Sequence, residues 1–370
     1  MPDIQLLNSF RDWVNSNDWT IFEYKNKDNK NKWNCICSAM DWIDVSIQYI
    51  NAHSLNAIRD NRSIELFSYL ACVDVVVEAI EQLHRVIFST RKQVFGQDCE
   101  CFSDNPFNQT DREYFKTLRA CFGAHPVNLD DPEEPDNKDA KRFASWSGGF
   151  EGPGDFSVYL YSNKIDGKNI VLGIKYSQVD AFIEKYYNHL SDLKSKLQKQ
   201  MTAFCKKKQK EIIPYSNDPI EHLTILQAES VNRLNNDYYR TTIEELLRTF
   251  QTPITCDANR GLVDRYLGVL KREIDEIHCN LQKMDLCDLS VDTVSMAGIP
   301  LQNGWGYWVS KLDQARQGHG YPALFWLGKI EEIFGGYFAF EYESLQELYV
   351  LVEATICILT EQTTSFHTEE

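Results

Sequence analysis

The chain has 370 residues, with 54 acidic against 38 basic side chains and a formal net charge of −16. That balance excludes a protein that coats nucleic acid indiscriminately, because phosphate neutralisation needs a basic surface, but it leaves room for a small basic cleft. With 43% hydrophobic and 25% charged residues, the composition is neither disordered nor fibrous.

The length allows one large or two ordinary domains, since single cores rarely grow past ~250–300 residues. Eleven cysteines, diluted and odd in number, do not form the framework of a small secreted domain. The start Met1-Pro-Asp-Ile-Gln lacks the features of a signal peptide. No apolar stretch reaches the ~18–20 residues that span a bilayer. A soluble, reduced, cytoplasmic protein with no membrane partner is expected.

Residues 1–34 predict a short helix (Leu6 to Trp13), a strand (Trp19 to Tyr24) and a polar loop, Lys25 to Lys32. Met40, Trp42, Ile43, Val45, Ile47 and Ile50 predict a buried helix from Cys35 to about Leu55. A longer helix spans about Ser63 to Thr90, with Ser63 as N-cap. Leu66, Leu70, Val73, Val77, Ile80, Leu83 and Ile87 form its apolar side at 3.6-residue spacing. Asp74, Glu78, Glu81 and Arg85 mark the other side.

Thr110-Asp-Arg-Glu113 fits a capping box that starts a third helix. Tyr114, Phe115, Leu118 and Phe122 are its buried stripe, Gly123 its expected C-cap, and Pro126 forbids the α conformation at His125. Residues 129–140 form an acidic, proline-broken loop. A β-hairpin is expected over 156–176, turning at Asp166-Gly167. Ser177 then caps one long helix to about Lys210, with Val179, Phe182, Ile183, Tyr186, Leu190, Leu193 and Leu197 on one face. Beyond a boundary near 212, helices are expected at about 219–233, 240–250, 258–284, 304–317, 323–334 and 344–361, with Asp257 and Ser344 as caps.

The informative stretch is Arg119-Ala-Cys-Phe-Gly-Ala-His125-Pro, an Arg in a helix's last turn and a His at its exit, with five residues between. Arg offers a permanently charged fork of donors matched to phosphate oxygens. His titrates near neutrality and moves a proton to or from an attacking or leaving oxygen. Together they meet the needs of RNA cleavage by the adjacent 2′-hydroxyl, and no metal or other cofactor is required. Without context, both residues read as ordinary helix-end groups that bond the last carbonyls and oppose the macrodipole.

The context is a long preceding helix bearing Glu81 and Arg85, with a hairpin and a long helix after the motif. In this it resembles the HEPN superfamily, and uncharacterised bacterial HEPN-like proteins in particular, over about residues 35–210. A mainly α fold is expected: the resemblance implies a HEPN-like helical bundle with a small β-hairpin (35–212), preceded by an N-terminal segment (1–34) and followed by a C-terminal region (213–370) whose own pattern is helical. It implies a homodimer in which two Arg119/His125 pairs face one RNA cleft, acting as a metal-independent endoribonuclease of the toxin–antitoxin or antiviral defence type. A neutralising or sensor protein partner belongs to the same expectation, and the acidic 129–140 loop is a candidate restraint on the site. Ala120 departs from the polar residue common after the Arg in active members, which keeps a second reading: a non-catalytic RNA- or protein-binding module.

Glu81 and Arg85 would line the RNA cleft beside His84, or else form a commonplace i, i+4 pair. Lys206, Lys207 and Lys208 belong to a run of seven lysines between 192 and 211 that would track an RNA backbone, or else form a solvated helix end. Cys35-x-Cys37 and Cys99-x-Cys101 are too closely spaced for zinc knuckles. Trp305, Tyr307, Trp308, Tyr321, Phe325 and Trp326 would stack a ligand or, more commonly, fill a core.

Overall fold

The computed structural model describes residues 2–53, 62–134, 136–146, 152–233, 238–290, 305–319 and 324–365. The chain is mainly α-helical and divides into two compact units, Met1–Thr202 and Ala203–Glu370. The division falls inside a helix, ten residues before position 212, and residues 1–34 belong to the first unit.

The first unit opens with α1 (Ile4–Asn15) and α2 (Asp18–Lys25). The strand expected at Trp19–Tyr24 is therefore a helix. Asn17 caps it by accepting from the Trp19 N–H at 3.1 Å, and Trp19, Thr20 and Tyr24 are buried, a pattern with helical spacing. The polar run after it turns tightly through Asp28 and Asn29, both in the left-handed region.

Helices α3 (Trp33–Ala52) and α4 (Arg62–Phe88) pack along each other. All seven apolar residues expected on α4 are buried, each contributing ~1.5–3 kcal/mol of transfer free energy. On α3, Met40, Ile43, Ile47 and Ile50 are buried as expected, whereas Trp42 and Val45 face outward at 58% and 61% exposure. Ser63 lies inside the first turn of α4 and is not its cap.

After α5 (Asp111–Arg119) and a π-turn (Ala120–Ala124), the expected hairpin is part of a four-stranded antiparallel sheet. Its strands are β1 (Leu129–Asp130), β2 (Lys141–Ser145), β3 (Phe156–Ser162) and β4 (Ile170–Ile174), in sequence order. The acidic loop thus supplies a strand. Arg142, buried under the loop, accounts for this by pairing with Asp131 at 2.8 Å and Glu133 at 2.9 Å. The single long helix expected from Ser177 is two, α6 (Tyr176–Asn188) and α7 (Leu190–Lys210), interrupted at His189. The Tyr176 N–H is capped by Asp155 at 2.8 Å, not by Ser177.

The second unit contains the end of α7 with α8 (Pro219–Arg233), α9 (Arg240–Gln251), α10 (Asp257–Lys283), α11 (Trp305–Arg316), α12 (Leu324–Phe334) and α13 (Leu345–Ser365). Ser344 caps α13 by accepting from the Glu347 N–H at 3.1 Å, while Asp257 is the first helical residue and Cys256 the N-cap. Trp305 and Trp308 pack against the core and Trp326 lies in it, whereas Tyr307 is exposed. Tyr321 and the side chain of Phe325 lie outside the described residues.

Candidate functional site

Helix α5 is pinned at both ends. At its start, the Thr110 N–H donates to Glu113 at 2.9 Å and the Glu113 N–H donates to the Thr110 hydroxyl at 3.4 Å, completing the capping box. Buried Asp111 accepts from the N–H groups of Glu100, Cys101 and Phe102 at 2.9, 3.0 and 3.2 Å, which fastens the preceding loop.

At its end the helix widens. The His125 N–H reaches back five residues to the Ala120 carbonyl at 3.2 Å, so the residues between Arg119 and His125 form one π-turn. Gly123 is no C-cap; a Cβ there would lie 2.0 Å from the Phe67 ring of α4. Only glycine permits this approach. On the sheet side, Phe122 meets Trp146 and Phe156 edge-on, and the Pro126 carbonyl accepts from the Ala144 N–H at 2.6 Å. His125 is thereby fixed between α4 and β2 with its ring exposed, and the ring has no polar partner among the described residues.

Arg119 is 37% exposed and its Nη1 lies 3.3 Å from Asp74 Oδ2. Its Nε is buried and has no acceptor. The same Asp74 holds a second arginine that sequence reading did not single out. Arg112 is 2% exposed, with its Nε 3.2 Å from Glu81, its Nη1 3.1 Å from Asp74 and its Nη2 on Glu78. The acidic side of α4 is therefore partly covered by α5: Glu81 is buried, whereas Glu78 remains about half exposed.

Glu81 is as buried as Arg112, and its other oxygen pairs with Arg85 at 3.3 Å. Burial raises the Glu81 pKa, against the pull of Arg112. Burial also opposes the charge of Arg112, but Glu81, Asp74 and Glu78 outweigh it and hold its pKa above the ordinary value. Arg119, Asp74, Arg112, Glu81 and Arg85 thus form one continuous ion chain. Glu81 serves that chain from inside and is closed to direct RNA contact. The chain extends eleven residues along α4 from Asp74 to Arg85, about 16 Å, with His125 beyond its Arg119 end.

His84 joins a different cluster. Asp192 Oδ2 lies 3.0 Å from His189 Nδ1, and His189 Nε2 lies 3.0 Å from His84 Nδ1. If Asp192 fixes the proton on His189 Nδ1, then His189 Nε2 accepts from His84. Burial, His189 and Arg85 together lower the His84 pKa. The second unit carries a similar pair, His222 Nε2 to His278 Nδ1 at 2.9 Å, packed on Tyr215.

Lys206, Lys207 and Lys208 lie beyond the division, in the second unit. Lys206 and Lys207 are exposed, and Lys208 pairs with Glu211 at 2.8 Å. Buried Arg233 donates to the carbonyls of Lys208 and Glu211 at 2.8 and 2.6 Å, satisfying the end of α7.

All eleven cysteines are free thiols. Among the described residues no group of three or more His, Cys, Asp or Glu side chains is arranged to hold a metal ion, and no helix is long and apolar enough to cross a membrane. No family model matches the chain, and neither a curated protein nor a solved structure is significantly similar to it.

Proposed function

We propose that the first unit is a HEPN-like, metal-independent endoribonuclease of the toxin or defence type, with Arg119 clamping phosphate and His125 moving the proton. The observation that carries this reading is the π-turn: it fixes an exposed His125 ring one wide turn beyond a partly exposed Arg119. In the cleavage, the 2′-oxygen attacks phosphorus and the P–O5′ bond breaks. One proton leaves the 2′-hydroxyl and one must reach the 5′-oxygen, while Arg119 stabilises charge on the phosphorane. Two histidines, one from each copy of a homodimer, perform the two transfers.

An apolar outer face supports the dimer. Trp42, Val45, Ile64 and Phe67 are exposed on α3 and α4, and Phe67 touches Gly123, two residues before His125. A groove of about 400 Å³ between these helices has Trp42, Val75 and Asp74 in its walls. A second copy seated there brings a second Arg119/His125 pair near the first.

RNA incubated with the purified chain in chelator should be cleaved, and His125→Ala should leave it intact. Trp42→Glu should yield a monomer with little cleavage. Intact RNA with the folded wild-type chain overturns the enzyme reading. The Asp74–Arg119 ion pair, together with Ala120, favours the second reading, a non-catalytic RNA- or protein-binding module. RNA affinity that falls in Arg119→Ala without any cleavage by wild type would establish it.

A further inference from the structure

We propose that the outer face of the β-sheet is a base-stacking platform for single-stranded RNA approaching His125, an inference that rests on the endoribonuclease reading for the fate of the RNA but not for its binding.

Side chains alternate across a sheet. Val158, Leu160, Leu172 and Ile174 are buried on its inner face, and Phe156 on that side meets Phe122 of the π-turn. On the opposite face stand Phe143 of β2 and Tyr159 and Tyr161 of β3. Phe143 is directly opposite Tyr161 in the register, and the two are 39% and 42% exposed. The Tyr159 and Tyr161 rings are parallel to within 9°, with centroids 6.0 Å apart.

Three chemical features select an unpaired RNA strand as the occupant. Aromatic side chains on an antiparallel sheet stack bases of any sequence, because every base has a π-face. Beside the rings this face carries Ser145, Ser157 and Val171, with the Lys141–Asp130 ion pair at its edge.

Charge complementarity is the second feature. Lys141 heads the same row as Phe143, and Lys164 follows β3 at the same end of the sheet. In the free chain these lysines sit on Asp130 and Glu134 of the acidic loop, through exposed pairs. Such pairs are weak and exchange readily, so two carboxylates occupy the positions that phosphates of a bound strand would take. The buried Arg142 pairs hold the rest of the loop in place.

Continuity with the candidate site is the third. The Pro126 carbonyl, one residue past His125, bonds the Ala144 N–H between Phe143 and Ser145.

The test is fluorescence anisotropy of a labelled 12-nucleotide oligoadenylate on the full chain carrying His125→Ala, which prevents cleavage. Adding Phe143→Ala and Tyr161→Ala should weaken binding about 10-fold or more. Phe143→Leu with Tyr161→Leu, which keeps apolar packing but removes the rings, should do the same, and Phe143→Tyr with Tyr161→Phe should not. Duplex RNA of equal length should compete poorly. Unchanged affinity in a natively folded Leu variant overturns the proposal, as does absence of oligoadenylate binding. So does loss of a chain–chain contact in place of RNA binding, read by sedimentation. Platform-dependent binding without cleavage by wild type would retain this proposal and reject the endoribonuclease reading. His125-dependent cleavage with an unchanged KM when Phe143→Leu and Tyr161→Leu are placed in a chain that retains His125 would do the reverse.

Discussion

Arg112 and Arg119 hold opposite oxygens of one carboxylate, Asp74 Oδ1 at 3.1 Å and Oδ2 at 3.3 Å. Seven residues apart on α5, they lie on one face two turns from each other. The carboxylate that anchors the buried arginine also restrains the exposed one. Asp74→Asn should lower stability by about 1–3 kcal/mol, as expected for loss of charged hydrogen bonds. It should also tighten RNA binding several-fold by releasing Arg119. Thermal melts and filter binding on the His125→Ala background read both; weaker RNA binding would contradict the restraint.

Removing Arg112 should be far more damaging. Glu81 is 2% exposed and depends on it. Arg112→Met should therefore cost about 3–5 kcal/mol, the usual penalty for stranding a buried charge. Adding Glu81→Gln should recover part of that loss. Urea unfolding of the four-member mutant cycle measures the coupling.

The histidine pairs predict acid sensitivity in both units. Burial is the first cause lowering His84, His222 and His278, followed by the neighbouring His189 for His84 and by His278 for His222. The unfolded chain takes up protons near the ordinary value of 6.5 that the folded chain refuses. Their contribution is complete above that pH and is lost as pH falls below it toward the lowered values. The histidines' contribution to the melting temperature, read as the difference from the His→Gln variants, should be flat above about pH 7 and decline toward about pH 5. His84→Gln and His278→Gln should each flatten the decline.

Glu353 of α13 predicts the opposite slope. Burial pushes its pKa up to about 8, against the lowering pull of the nearby Tyr349 and Tyr266 hydroxyls. Tyr266 donates to Oε2 at 3.1 Å, and the buried Oε1 has no partner. Between 4.5 and 8 the unfolded chain loses a proton that the folded chain keeps, so stability falls as pH rises through that window. Glu353→Gln should remove the slope and raise the melting temperature most near pH 8. A variant less stable than wild type at that pH would show that the carboxylate is ionised in the fold.

The loop carboxylates should act as competitors of RNA. Asp130→Asn with Glu134→Gln frees Lys141 and Lys164 while leaving the Arg142 anchors intact. Affinity for oligoadenylate should rise a few-fold, and the salt dependence of binding should steepen. An unchanged affinity and slope would remove the loop from the binding surface.

The sequence was most legible where one helix determines its own neighbours. The capping box at Thr110 and Glu113 and the buried stripe of α4 depend on residues a turn or two apart. The α2 helix was missed because Trp19 to Tyr24 is short and rich in strand-favouring residues, while its cap comes from Asn17 outside the segment. The break at His189 is legible only through His84, 105 residues away. Arg119 and His125 were found by their spacing, whereas Arg112 was not. One signal pointed to it: Asp74, Glu78 and Glu81 place three like charges on one helix face, which self-repel unless a cation from elsewhere covers them.

The π-turn makes the interval between Arg119 and His125 an angular setting. Because the His125 N–H bonds five residues back, one residue more or fewer would not simply slide the imidazole along the helix axis. It would rotate the imidazole by about 100° around that axis. Insertions or deletions here would aim the proton-carrying group at a different solid angle from the guanidinium, while the capping box and the buried stripe of α5 stayed as they are.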